Sequence, residues 1–366
     1  MSSADVQRYY DEKFPFEFVL KFISNGGKWN VKNREIMLSI PLMGNENSMR
    51  LRYNSVANER EWRSLLIEHS KFAQIDVGAV YFEIPRSISD LRSHISPADA
   101  VEFRELVFDV DLSEYADVRY CCGSSKKCCR KCWPLAVTAA VFLEKILRQW
   151  FGCKKLVWLF SGRRGVHCWV YEEKYAKITA HYRESVVFYI NQICDAIRGG
   201  CPVPRCIEAA LSNTCLVYKR FFDDQRLFAD IDRFEKLIEG LDVPMYMIES
   251  FKKGEFKDFS VFTGIVNRHG GTDEEKRIKA SRKNVVTDIV LKAIFPRLDK
   301  GVTNDPAHLI KMPFSLHPST GAICMPMTLE QIRSFDPESN DLHMNKCTAE
   351  TIQRGMKAID SMLNVK

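Results

Sequence analysis

No stretch of the 366 residues reaches the roughly 18 uninterrupted apolar positions that a membrane-spanning helix requires. The opening text, "MSSADVQRYYDEKFPF", lacks the basic-then-apolar pattern of an export signal, so the expectation is a soluble, intracellular protein with no membrane partner. A strong charge of one sign is also missing. The 53 basic residues exceed the 47 acidic ones by only six, a bias that permits a polyanionic partner without requiring one. There are no repeats and no long low-complexity segment, which excludes a solenoid.

What is present is the composition of a packed globule: 46% hydrophobic residues in a chain long enough for two domains, or for one large domain with an insertion. Thirteen cysteines without an export signal read as free thiols and metal ligands rather than disulfides. Between about 36 and 120, "REIMLSIPL", "SMRLRYNSV", "IDVGAVYFEI" and "ELVFDVDL" are short, β-branched or aromatic runs that predict strands. "DVQRYYDEKFPFEFVLKFI", "EREWRSLLIEHSKF" and "PLAVTAAVFLEKILRQWF" have helical spacing, the last with Pro134 suited to a first turn. "KKLVWLFSGRRGVHCWVYEE" predicts a hairpin turning at Gly162 and Gly165. From about 175 to 295 the text turns to charged, helix-spaced segments, with "SFKKGEFKDF" and "VNRHGGTDEEKRIKASRKN" as solvated connectors. It becomes strand-like and turn-rich again near 295.

In "ELVFDVDLSE", alternation on a strand puts Asp109 and Asp111 on one face while Leu106, Phe108, Val110 and Leu112 face a core. Adjacent carboxylates repel, and a divalent cation such as Mg²⁺ or Mn²⁺ relieves the repulsion. A strand with one wet face would carry the same pair without a metal. "SGRRGVH" adds a glycine-bounded turn in which Arg163 and Arg164 offer planar forks to phosphate, with Ser161 and His167 as further donors; an exposed basic hairpin is the alternative. Acids plus an arginine clamp are the components of nucleotidyl transfer, and a third carboxylate is then expected. Asp299 in "PRLDKGVT" and its neighbour Asp305 are the candidates, followed by Lys311 and His317 as sources of positive charge.

"CCGSSKKCCRKC" places Cys121, Cys122, Cys128, Cys129 and Cys132 within twelve residues, which predicts a structural Cys₄ zinc site. The expected ligands are Cys121, Cys122, Cys129 and Cys132, with Cys128 able to replace Cys129. Cys194, Cys201, Cys206 and Cys215 lack a knuckle spacing and read as buried thiols.

"ELVFDVD", the cysteine cluster, "SGRRGVHCWV", and "PRLD" followed by Lys311 and "PFSLHPSTG" together resemble the catalytic (small) subunit of archaeal and eukaryotic DNA primases, nearest the eukaryotic primase of the polymerase α complex. Weaker echoes are "YYDEKFPF", "RLRYNS" and "IDVGAVY". The resemblance implies an α/β fold of mixed β-sheets flanked by helices, with a helical insertion and a structural zinc. It divides the chain into a catalytic region over residues 1–178, a helical subdomain over 179–294 and a returning catalytic segment over 295–366. It implies synthesis of RNA primers from ribonucleoside triphosphates on single-stranded DNA, with two catalytic Mg²⁺ or Mn²⁺ ions. It implies a large subunit as partner and, on the eukaryotic reading, a nuclear address, although no basic import run is evident. By resemblance Asp109, Asp111 and Asp299 are the metal-binding acids, and Ser161, Arg163, Arg164, His167, Lys311 and His317 the nucleotide-binding residues. Arg52 is a further basic position, and Asp76 faces the ribose 2'-hydroxyl. A phosphohydrolase or nuclease, or a non-enzymatic zinc module that binds nucleic acid, would use some of the same residues.

Overall fold

The computed structural model describes residues 2–41, 48–69, 72–122, 128–268 and 285–364. Among the described residues nine strands form two sheets, and every pairing is antiparallel. The first contains β1 (Arg34–Pro41), β2 (Ser48–Asn54), β3 (Gln74–Tyr81) and β4 (Val101–Phe103) in the order β2-β1-β3-β4. The second contains β5 (Leu106–Asp111), β6 (Leu156–Phe160), β7 (Gly165–Val170) and β9 (Met325–Pro326) in the order β5-β7-β6-β9. The two-residue β8 (Ile310–Lys311) pairs with β3 and so joins the first sheet. The segment after residue 295 therefore gives one strand to each sheet and stitches them together.

The strand text resolves as its alternation predicts. In β5 the core-facing residues Leu106, Phe108 and Val110 are buried while Asp109 and Asp111 are half-buried. The first helical stretch is two helices, Ser3–Glu12 and Phe16–Ile23, because Pro15 offers no amide for the continuing ladder. Helix Trp133–Gln149 has Pro134 in its first turn and is buried all round from Trp133 to Leu143. It lies between the second sheet and helix Arg205–Asp224, to which it makes its most extensive helix contact.

The described residues between 180 and 294 are helical: Ala180–Arg198, Arg205–Asp224, Ile231–Ile238, Met245–Lys252, Phe259–Arg268 and a helix over 285–294. "SFKKGEFKDF" is not a solvated connector. Its charged residues face outward, but Phe256 and Phe259 are buried, and Phe251 stacks on Phe234 with centroids 4.2 Å apart. Three phenylalanines spaced through a lysine-rich stretch outweigh the charge once a neighbouring aromatic cluster receives them. The other expected connector, 266–284, lies outside the described residues from 269 onward. Of the scattered thiols, Cys206 is buried, Cys194 and Cys215 are half-buried, and Cys201 is exposed in the loop between two helices.

Candidate active site

The acids and the basic turn come together through strand register. Asp109 lies directly opposite His167 and Asp111 opposite Gly165 on β5 and β7. Gly165 has no room for a side chain, since a Cβ would sit 2.3 Å from the Val110 carbonyl oxygen. The turn between β6 and β7 is closed by reciprocal bonds, Ser161 N to Gly165 O at 2.9 Å and Gly165 N to Ser161 Oγ at 3.1 Å. Gly162 adopts φ +86°, and a Cβ there would press on Ala322 O and His317 Cβ, each at 3.0 Å. That close approach seats the arginine turn on the returning segment, where Thr320 Oγ1 donates to Gly162 O at 2.7 Å.

The returning segment supplies the rest. The Asp299 amide donates to the Asp109 carbonyl at 3.0 Å, and Thr303 Oγ1 donates to Val107 O at 2.8 Å, fixing this segment along β5. Asp305, the alternative third acid, turns its Oδ1 to the amide of Ala307 at 2.8 Å. Lys311 lies opposite Asp76 in the β3–β8 pair, and its Nζ donates to Ser161 O at 3.0 Å. Residues from both sheets, the turn and the returning segment are thus near enough to act on one another's charge or to bond directly: Asp76, Asp109, Asp111, Asp299, Ser161, Arg163, Arg164, His167, Lys311 and His317.

The charges in this group are strongly coupled. The Asp109 carboxyl is pushed up to about 7 by burial and by the like charges of Asp111 and Asp299. Asp111, although burial acts against it, is held below the usual carboxylate range by Arg164, whose Nε donates to Oδ1 at 2.6 Å, and by the Ser113 amide. Burial lowers Lys311, with Arg163 adding to the effect, and raises Asp76, whose Oδ1 accepts from Gln74 at 2.6 Å.

His167 is lowered to about 3 by burial and Lys311. His317 is lowered to about 2 by burial and by Lys311, Arg163 and Arg164. Both imidazoles therefore favour the neutral form near pH 7, so His317 offers a hydrogen-bonding ring rather than the positive charge expected of it. Burial first, and then its cationic neighbours, keep the proton off.

Arg52 is engaged elsewhere. It makes a two-toothed contact with buried Glu35, at 2.9 and 3.0 Å, and touches Ala307 O at 3.3 Å. Arg52 is thereby tied to β1 through Glu35 and to the returning segment through Ala307. The motifs do not single out Glu35 or Thr320. The only signals were an acid at the start of a strand and the turn-forming "PSTG".

The acid trio suits a hard divalent ion, because it offers oxygen donors only and its most buried member remains costly to ionise without a cation. The acids are not drawn onto a common point. Among the described residues, the one set of three or more potential ligands mutually within 4.8 Å is Cys121, Cys122, Cys129 and Cys132. A tetrahedral zinc with bonds of about 2.3 Å to sulfur sets sulfur–sulfur edges of about 3.8 Å. The Sγ separations of 3.7 Å (121–122), 3.9 Å (122–132), 3.5 Å (121–129) and 3.8 Å (129–132) fit that figure. Cys128 is buried beside Cys132 at 3.7 Å and stands outside the set. Gln225, from the helical region, holds both limbs of the knuckle, accepting from the amides of Tyr120 and Cys121 and donating to Lys131 O.

Comparison with known proteins gives a consistent picture. The family described as the DNA primase small subunit matches residues 108–329. The DNA primase small subunit of Drosophila melanogaster is 30% identical over 349 residues, covering 90% of this chain and 77% of that protein. The Saccharomyces cerevisiae protein of the same name is 30% identical over 356 residues, covering 92% and 83% respectively. Among solved structures, the polymerase domain of Mycobacterium tuberculosis ligase D in complex with DNA covers 96% of this chain and 88% of that one. Its TM-score is 0.41 and its identity 10%, too remote to weigh in the argument.

Proposed function

The chain belongs to the DNA primase small-subunit family, and from that premise we propose how its residues carry out primer synthesis. It is a nucleotidyltransferase that makes RNA primers from ribonucleoside triphosphates on single-stranded DNA for the initiation of replication. The observation that supports the residue-level reading is the set of contacts linking Asp109, Asp111 and Asp299 to the Arg163–Arg164 turn and to Lys311.

In this reading Asp109, Asp111 and Asp299 hold two Mg²⁺ or Mn²⁺ ions. Such ions, when bound, lower the pKa of the primer 3'-hydroxyl and neutralise the pyrophosphate leaving group. Arg163 and Arg164 present planar forks to the triphosphate. Lys311, tied to the turn through Ser161 O, adds a point charge to the same phosphates. His167 and His317, held neutral, donate hydrogen bonds and orient the tail without competing for it as cations. Asp76, buried opposite Lys311, faces the ribose and selects for the 2'-hydroxyl. Arg52, braced by Glu35, contributes a further positive charge. Zinc on Cys121, Cys122, Cys129 and Cys132 is structural, leaving no open coordination position.

Residues 1–178 and 295–366 then form the catalytic unit around the helical subdomain 179–294. A basic surface follows the template phosphates, while base pairing reads the sequence. The large primase subunit and the polymerase α complex are the partners, and the nucleus is the site of action. No helix of the described residues is long and apolar enough to cross a membrane.

Incubating the chain with ATP, Mn²⁺ and an oligodeoxythymidine template tests the reading: a ladder of short RNA supports it. Shortening of the template would instead indicate a nuclease. Template binding that survives Asp109→Ala and Asp111→Ala with no synthesis by either variant or parent would indicate a binding module.

A further inference from the structure

We propose that Tyr9 and Tyr10 are positioning residues for the incoming nucleotide: their buried hydroxyls lock the turn that holds Lys311 and His317 on one side of the pocket. This rests on the reading of those two residues as triphosphate contacts. Lys311 and His317 flank Phe314, a fully buried aromatic residue at φ +66°. A side chain in the left-handed region costs on the order of 1–3 kcal/mol and persists only where its surroundings overdetermine it. Here the surroundings are specific. Tyr9 OH donates to the Phe314 carbonyl at 2.7 Å. Tyr10 OH accepts from the Leu316 amide at 3.2 Å and lies 3.4 Å from Ser315 Oγ.

The chain of contacts continues into the pocket. Ser315 Oγ accepts from the Ile75 amide at 2.8 Å, next to Asp76, and Met312 N donates to Ile75 O at 3.1 Å. On the far side, Phe314 N and Cys324 O, and Cys324 N and Ser315 O, pair at 2.7 Å each, while Gly355 leaves the space that the Phe314 ring fills. The two hydroxyls, from a helix more than 300 residues away in sequence, therefore supply hydrogen-bonded support from outside the returning segment and its sheet neighbours, where Phe18 adds an edge-on contact to the Phe314 ring. Packing alone would be served by phenylalanine, since both rings are buried, meet each other edge-on, and Tyr10 makes tilted contacts with Phe14 and Phe72. What the hydroxyls add is direction. Burial keeps both well above the normal tyrosine range, so both remain protonated at any working pH.

The test uses the full chain, Mn²⁺, an RNA-primed oligodeoxythymidine template and ATP. Tyr9→Phe/Tyr10→Phe should fold, raise KM for ATP about five- to tenfold and change kcat less than about twofold, as loss of ground-state binding geometry requires. In a Lys311→Ala background the same pair should add less than about twofold to KM, because the residue it positions is gone. An unchanged KM, or an equal multiplication of KM in both backgrounds, overturns the inference. If Lys311→Ala raises KM while the tyrosine pair does not, the inference fails and the pocket reading stands. If Lys311→Ala itself leaves KM unchanged, the pocket reading fails and takes the inference with it. Should the double variant not fold, each single Tyr→Phe variant carries the same comparison with the other clamp intact.

Discussion

Asp109 shows how a single carboxylate can be costly to the fold and useful to it at once. Its pKa in the folded chain, about 7, lies above the ordinary value, so ionisation works against the folded state. The cost begins as pH rises past the unfolded value and is complete once pH passes about 7. In buffer containing a chelator the protein should therefore lose stability between pH 4 and 8. Asp109→Asn should melt several degrees higher than the parent at pH 8, with the difference closing near pH 4, while primer synthesis falls at least ~10³-fold. Thermal melts across pH, with and without Mn²⁺, check the sign. Arg164 answers a different question. Arg164→Lys keeps the charge but loses the fork, so KM for ATP should rise about tenfold with the fold intact, measured by steady-state extension. The proposed acids and the arginine turn were legible in the sequence because strand alternation and turn glycines are local signals. The bracing of Arg52 by Glu35, and the neutrality of His317, were not, because each depends on neighbours brought in from distant regions of the chain.

At the scale of the element, the β5–β7 pair and the zinc knuckle each depend on close approach. Gly165→Ala would place a methyl against the Val110 carbonyl and should separate the strands at Asp111, costing about 3 kcal/mol in urea unfolding and abolishing synthesis. In the knuckle, Cys129→Ser should lose zinc while Cys128→Ser retains it, read as metal content per chain. The sequence narrowed the ligands to five thiols, and spacing could not choose further. The proposed four are those whose sulfurs lie within 4.8 Å of one another in space. Strands longer than five residues and the long buried helix were readable from their periodicity. The two-residue strands β8 and β9 were not, since a bridge of that length leaves no pattern and is fixed by its partner strand.

Across the whole molecule, the helices after residue 180 share one continuous hydrophobic core with the sheets. Helix Arg205–Asp224 covers one side of the buried helix Trp133–Gln149, and Gln225 holds the zinc knuckle from the same helical region. Replacing 180–294 with a short linker should therefore expose Val137, Ala140 and their neighbours, yielding an aggregating chain rather than a smaller enzyme, as light scattering would record. The change from strand-like to helical text was visible in the sequence. The packing of the buried helix Trp133–Gln149 against that helical text was not, because helical periodicity reports a buried face without naming what covers it.

The path of the chain also has a consequence for synthesis on the ribosome. Asp109, Asp111 and the arginine turn emerge early, but the third acid, Lys311 and the strands that join the two sheets arrive only with residues 299 to 326. A nascent or prematurely terminated polypeptide ending before that point carries most of the recognisable motifs and none of the finished pocket. On the proposed reading, fragments released by faulty translation should be catalytically silent and lay down no stray RNA starts on exposed template, which a primer-synthesis assay of a chain ending before residue 299 would check.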